Sequence, residues 1–156
     1  MYTAAEVADH IVLKCIDDDH PINNFCLQKL LFGLQRHYLR EFGGRLFSDE
    51  IEAWKFGPVV PQVYYSFAAY GGMEIRWISR CRNANPQIKP EDVEVIDAII
   101  EHHRVLPFWE LRNITCCEGG SWDTKYKEYL SDSNPARITL FHHYPKIPVE
   151  LITIKG

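Results

Sequence analysis

One cysteine pair and two histidine pairs are the first candidates for chemistry in this sequence of 156 residues. Cys116-Cys117, His102-His103 and His142-His143 offer thiolate and imidazole groups of the kind that bind zinc. Structural zinc sites usually draw paired ligands two to four residues apart, so that one turn presents both. Adjacent residues do this poorly, and we therefore predict no metal site.

Other catalytic and metal-binding patterns are equally weak. Asp17-Asp18-Asp19 lacks the glycine and the distal glutamate of a calcium loop. Glu50 and Glu52 are two carboxylates two residues apart, and exposed positions at the edge of a strand explain them without catalysis. No local protease signature surrounds any of the cysteines. The sequence contains no phosphate-binding glycine loop and no Gly-x-Ser-x-Gly elbow. We therefore predict that the protein is not an enzyme and has no cofactor.

The chemistry that the sequence favours is protein recognition by aromatic side chains. Six aromatic residues and a lysine fall between positions 54 and 70: Trp54, Phe56, Tyr64, Tyr65, Phe67, Tyr70 and Lys55. Aromatic rings beside a basic side chain are typical anchors of protein interfaces. The competing interpretation places most of these rings in the core and lays the lysine stem along apolar surface.

The stretch 52–64 must position these side chains. Gly57 adopts backbone angles that other residues disfavour, and Pro58 biases Gly57 away from the helical region. Pro61 suits the first turn of a helix. The pattern predicts an ordered turn between two elements. We expect Trp54, Gly57 and Pro58 mainly to stabilise the fold of this turn. The partner-binding candidates are Lys55, Phe56, Gln62 and Tyr65.

A helix that begins after the cap Asn23 and runs to about Phe42 is expected to support this turn. Its apolar residues form two stripes, which predicts a central helix packed on two neighbours. The stripes are Leu27, Leu30, Leu31, Leu34 and Tyr38, and Phe25, Phe32, Leu39 and Phe42. The opposite side is assigned to Lys29, Gly33, Arg36 and Arg40.

Two glutamines, Gln28 and Gln35, lie between these stripes. A buried amide must find hydrogen-bond partners. We predict that Gln28 or Gln35 bonds to the backbone of the turn at 54–61; the alternative places both at a wet helix edge.

The rest of the chain predicts a mainly α fold, with a short irregular or β segment near 46–60. Thr3 caps a first helix, Pro61 and Pro90 open two more, and a short helix follows Pro107. Ser121 is the predicted cap of a helix at about 122–130, and the tail at 148–152 favours a short helix over a strand. Residues 79–90 are polar, basic and bounded by proline, which predicts a surface loop. We expect one compact helical domain over 1–156.

Bulk composition narrows the function classes. Lys and Arg total 17 against 21 Asp and Glu, a net charge of −4, which gives no electrostatic basis for binding nucleic acid or anionic membrane. No apolar run reaches the length of a membrane span, and no signal layout begins the chain. The five cysteines do not form a disulfide framework. A soluble cytoplasmic protein is expected.

Several of these residues together resemble the Panacea domain of SocA-like antitoxins, a family that also includes phage-associated GepA-like proteins. The resemblance covers about residues 3–130 and leaves 131–156 unassigned. It is most specific in the central turn, where the tryptophan, the glycine, both prolines and the tyrosine all match the family pattern in register: Trp54, Gly57, Pro58, Pro61 and Tyr64. It is carried by Leu27-Gln28-Lys29-Leu30-Leu31, by Glu52-Ala53-Trp54-Lys55-Phe56-Gly57-Pro58-Val59-Val60-Pro61-Gln62-Val63-Tyr64, and by Tyr70-Gly71.

One departure from the family pattern occurs late in the match. Family members often have Thr-His before acidic, glycine and tryptophan residues, whereas this chain has Thr115-Cys116 before Glu118 and Trp122. Whatever that histidine contributes, such as a hydrogen bond near the turn, is therefore not carried over to this chain.

The resemblance implies a helical antitoxin that neutralises a cognate toxin by direct binding, with the toxin encoded next to it. In one branch of the family the antitoxin also delivers the toxin to a cellular protease. Two alternatives stay open: a nucleic-acid-associated regulator of its own operon, which the net charge disfavours, and a cryptic enzyme or nucleotide binder using the cleft beside the turn. We expect Lys55→Ala or Tyr65→Ala to weaken neutralisation, and Trp54→Ala or Gln28→Ala to destabilise the fold.

Overall fold

The computed structural model describes residues 1–78, 88–131 and 144–156 and confirms a mainly α fold. Seven α-helices and one two-stranded sheet make up the regular structure of these residues. The helices are α1 (Ala4–Asp17), α2 (Asn24–Glu41), α3 (Pro61–Ser66), α4 (Pro90–His103), α5 (Phe108–Thr115), α6 (Ser121–Ser131) and α7 (Val149–Lys155). The strands are β1 (Glu52–Trp54) and β2 (Gly57–Val59), and a 3₁₀ turn covers Ala68–Tyr70.

Helix α1 begins where the sequence predicts. The Thr3 side chain accepts a hydrogen bond from the Glu6 backbone N–H, and Glu6 accepts one from the Thr3 N–H, which forms the predicted capping box. The helix ends at Asp17, the first residue of the aspartate triplet. Its apolar face, including Val7 and Ile11, is fully buried.

Helix α2 is the central element, as its two apolar stripes predict, but it packs on more elements than the two neighbours expected. It contacts α1, α4, α5, α7 and β2, and both Gln28 and Gln35 are buried along it. Phe42 is an exception, because the helix ends at Glu41 and the Phe42 side chain is 60% exposed. The second stripe therefore ends at Leu39.

The segment after α2 forms a β-hairpin. Strands β1 and β2 pair antiparallel, with Ala53 opposite Pro58 and Trp54 opposite Gly57, so the tip of the hairpin is Lys55-Phe56. Pro61 then occupies the first turn of α3, as predicted. The second edge of β1 is covered by the tail, because the Ala53 N–H donates to the Pro145 carbonyl and the Ile147 N–H to the Ile51 carbonyl.

The C-terminal elements complete the core. The expected tail helix is present as α7, which contacts α2 and α6 and buries Ile152. The predicted cap at Ser121 is wrong: Ser121 is the first residue of α6, and its buried hydroxyl makes no hydrogen bond with any described residue. The cap is the residue that precedes the first helical residue, and Ser121 already lies within the helix.

Two further predictions concern the molecular surface. Of the expected loop at 79–90, residues 79–87 lie outside the described residues, while Pro90 opens α4 as predicted. None of the described helices is long and apolar enough to cross a membrane.

Candidate functional site

The backbone of the hairpin is held from beneath by Gln28, as the sequence predicts. The Gln28 Oε1 atom accepts a hydrogen bond of 2.9 Å from the Val60 N–H, at the end of β2. The Gln28 side-chain amide donates to Asn24 Oδ1 at 3.0 Å, and the Asn24 amide donates to the Tyr64 carbonyl at 3.0 Å. Two adjacent turns of α2 therefore fix both the hairpin and the start of α3.

Gln35 has a different role from Gln28. Its Oε1 atom accepts hydrogen bonds from the Leu46 and Phe47 N–H groups, and its amide donates to the Phe47 carbonyl. Gln35 thus fixes the chain before β1, and these hydrogen bonds all go to residues that precede the hairpin. Both glutamines satisfy buried backbone groups that no helix or strand would satisfy.

The environment of Lys29 differs from the one predicted. The sequence places Lys29 on the side of α2 opposite the apolar stripes, but the residue is only 4% exposed, and its ammonium donates a 2.7 Å hydrogen bond to the Phe56 carbonyl. Burial lowers the pKa of Lys29. The helix pattern carries no signal for this contact, because the acceptor lies 27 residues away in the chain.

The ammonium of Lys29 explains the glycine at position 57. Gly57 has a φ of +131°, and a Cβ added there would overlap Lys29 Nζ and lie 3.0 Å from Cys116 Sγ. Position 57 favours glycine first because of its backbone angle, and also because a Cβ would force the Lys29 ammonium to move.

Cys116, where the family pattern has histidine, lies beneath the same turn. Its Sγ atom is 3.9 Å from Lys29 Nζ and 3.6 Å from Thr115 Oγ1. The side chain at this position therefore does face the hairpin. A thiol is only a weak acceptor, so the Phe56 carbonyl is the principal partner of the Lys29 ammonium.

Trp54 and Trp122 join the hairpin to the C-terminal part of the chain. The Trp122 indole donates a 2.7 Å hydrogen bond to the Trp54 carbonyl, and the Trp54 indole donates to Glu52 Oε2 at 2.7 Å. The Trp54 ring stacks on Tyr144 with 5.2 Å between centroids and meets Tyr64 edge-on at 5.0 Å. Trp54 is half-buried, so its ring belongs both to the support and to the surface.

The four partner-binding candidates are exposed on the outer side of this supported hairpin. Phe56 is 61% exposed and Tyr65 66% exposed, and Lys55 and Gln62 are also exposed. The Lys55 ammonium lies 5.4 Å from the centre of the Phe56 ring, and the Tyr65 ring packs 5.9 Å from Trp54. We call Lys55, Phe56, Gln62 and Tyr65 the hairpin surface.

The candidate metal ligands are not brought together in the part of the chain that the structure describes. Within residues 1–78, 88–131 and 144–156, no three His, Cys, Asp or Glu side chains are grouped so as to hold a metal ion. His142 and His143 lie outside these residues. The four cysteines of this part are free thiols: Cys15, Cys26, Cys116 and Cys117.

Comparison with known proteins confirms the resemblance that the turn motif carries. The model of the family described as antitoxin SocA-like, Panacea domain, matches residues 27–123, which is more than half of the chain. Antitoxin SocA of Caulobacter vibrioides (strain NA1000 / CB15N) is 44% identical over 68 residues, which span 44% of this chain and 36% of that protein. No solved structure matches. The matched range runs from the start of α2 through the hairpin to the start of α6, and the chain belongs to the SocA-like antitoxin family with a Panacea domain.

Proposed function

We propose that the protein is an antitoxin that neutralises a cognate toxin by binding it directly through the hairpin surface. Family membership supports the antitoxin role. The observation that carries the choice of surface is the exposure of two large rings, Phe56 and Tyr65, on a backbone that buried side chains hold in place. Exposed aromatic side chains on a rigid support bind a partner with little loss of conformational entropy.

The polar members of the surface suit recognition of a protein. Lys55 and Gln62 flank the rings and provide the polar rim that surrounds the apolar centre of most interfaces. We propose the product of the adjacent gene as the toxin. Delivery of the bound toxin to a cellular protease is a second step that rests on the family resemblance alone.

Growth of cells that express the neighbouring open reading frame tests this proposal. We expect Tyr65→Ala to weaken toxin binding about 30-fold, as for a central interface aromatic, and Lys55→Ala to weaken it about threefold, as for a rim charge. Growth rescue by co-expressed antitoxin should fall in the same order.

The matched control is Phe42→Ala, which removes an equally exposed ring at the far end of α2. Thermal melts of all three variants should match the wild type, because none of the side chains is buried. Full rescue by both the Tyr65 and Lys55 variants would exclude the hairpin surface as the binding site.

A further inference from the structure

A pocket opens beside the hairpin surface, lined by α2, the hairpin, α3 and Tyr144. Its volume is about 260 Å³, and five of its lining residues are aromatic, among them Phe25, Trp54 and Tyr64. An apolar cavity of about 150 Å³ is sufficient to hold a benzene ring. The pocket therefore has room for one aromatic or branched apolar side chain with a short polar arm.

The charges on this pocket are all of one sign. Lys29 and Lys55 line it, and no carboxylate does among the described residues. The contacts of the Lys29 ammonium are the Phe56 carbonyl and the Cys116 thiol, and it forms no ion pair with a described carboxylate. A buried ammonium without a counter-ion is costly, and an anion that enters the pocket would offset part of that cost.

Aromatic walls alone would also suit a cationic ligand, since ring faces attract ammonium groups. The two lysines on the lining repel a cationic ligand, because all three would carry positive charge. A purely apolar ligand would fill the space but leave Lys29 without a counter-charge. The ligand that satisfies both features has an apolar group and a carboxylate close together.

We propose that this pocket receives an apolar side chain of the toxin together with the carboxylate of an acidic residue beside it in the toxin chain. This inference rests on the proposed function, because Lys55 and Phe56 belong both to the pocket and to the hairpin surface. The apolar side chain packs against the rings of Trp54 and Tyr64, and the carboxylate pairs with the lysine ammonium groups. The pocket thereby sets which toxin segment the antitoxin accepts.

Titration with a small probe tests the pocket without the toxin. The probes are 3-phenylpropionate and its neutral amide, and the readout is the ¹⁵N-edited NMR signal of the Trp54 indole, with the Trp109 indole as internal control because Trp109 lies outside the pocket. We expect the Trp54 signal to shift in a saturable way and the carboxylate to bind about fivefold more tightly than the amide. Lys55→Gln should reduce that ratio about twofold, whereas Lys155→Gln, at an exposed lysine of α7, should leave it unchanged.

Three results would overturn the inference: no saturable shift of the Trp54 indole, equal affinity for acid and amide, or an equal effect of the two lysine substitutions. Since no toxin is present, these results are independent of whether the chain neutralises one. Saturable, carboxylate-selective binding alongside failed toxin neutralisation would instead contradict the proposed function and leave the carboxylate site in place.

Discussion

Replacing Gly57 with alanine is expected to destabilise the protein by about 3–5 kcal/mol. Residues other than glycine pay about 1–3 kcal/mol for a strained positive-φ conformation such as the +131° found here. The new methyl group would also overlap Lys29 Nζ, so that the ammonium would have to move away from the Phe56 carbonyl and lose that hydrogen bond. A hydrogen bond made by a charged group contributes about 1.5–3 kcal/mol.

Thermal and urea denaturation measure this effect, which corresponds to a melting temperature lowered by roughly 10 °C for a chain of this size. Gly33→Ala is the matched control, because Gly33 lies within α2 at an ordinary φ and a Cβ there meets nothing within 4 Å. The control should be neutral or slightly stabilising, since alanine favours the helix. A Gly57→Ala protein that melts with the wild type would contradict the described packing of Lys29 under the turn.

Replacing Gln28 with methionine is expected to cost about 2–3 kcal/mol. Methionine has a similar length and fills the same space, so the substitution removes hydrogen bonds with little change in volume. The buried Val60 N–H and the Asn24 side-chain oxygen lose their partners, and an unsatisfied buried group costs about 1–3 kcal/mol.

Urea denaturation gives the total effect of this substitution, and hydrogen exchange of the Val60 amide gives its location. The amide should exchange faster in the variant, because opening of the hairpin no longer breaks the bond to Gln28. Gln62→Met, at an exposed position of α3, should change the stability by less than about 0.5 kcal/mol. If Gln28→Met is as mild as this control, Gln28 does not hold the hairpin.

The support for the hairpin was largely predictable because it depends on local rules. Asn23 and Thr3 are residue types that cap helices, so they predict where two helices begin. Gln28 and Gln35 lie between apolar stripes, which predicts that both side chains are buried and hydrogen-bonded. These rules predict that Gln28 is buried and bonded and that α2 is the central helix. They do not predict which glutamine bonds to the turn, because Gln28 and Gln35 lie seven residues apart on the same side of the helix, and only the path of the chain beyond α2 gives them different partners.

Contacts between distant segments were not predictable in the same way. In the helix pattern Lys29 belongs to the side opposite the apolar stripes, and only the fold shows that its ammonium bonds to the Phe56 carbonyl. In the same way, the sequence places Cys116 in a turn, and only the fold shows that its thiol lies next to Lys29 under the hairpin. Periodicity reports the faces of one helix and carries no information on the polar atoms of its neighbours. The same limit applies to the pocket, where the Tyr144 ring stacks on that of Trp54, a residue from a distant part of the chain.

These contacts divide the residues of the turn motif and its support into two groups by physical role. Gln28, Lys29 and Gly57 fix the backbone, and their loss should lower stability first. The side chains of Phe56 and Tyr65 project from that backbone and are mostly exposed. The division predicts that substitutions in the two groups affect different measurements, stability for one and toxin affinity for the other.

Calorimetric titration of the purified toxin from the adjacent gene with the Phe56→Ala/Tyr65→Ala double variant tests this division most directly. We predict that the affinity falls by about 100-fold or more, since two exposed interface rings are lost, while the free energy of unfolding stays within about 0.5 kcal/mol of the wild type. An unchanged dissociation constant would contradict the claim that the hairpin surface binds the toxin.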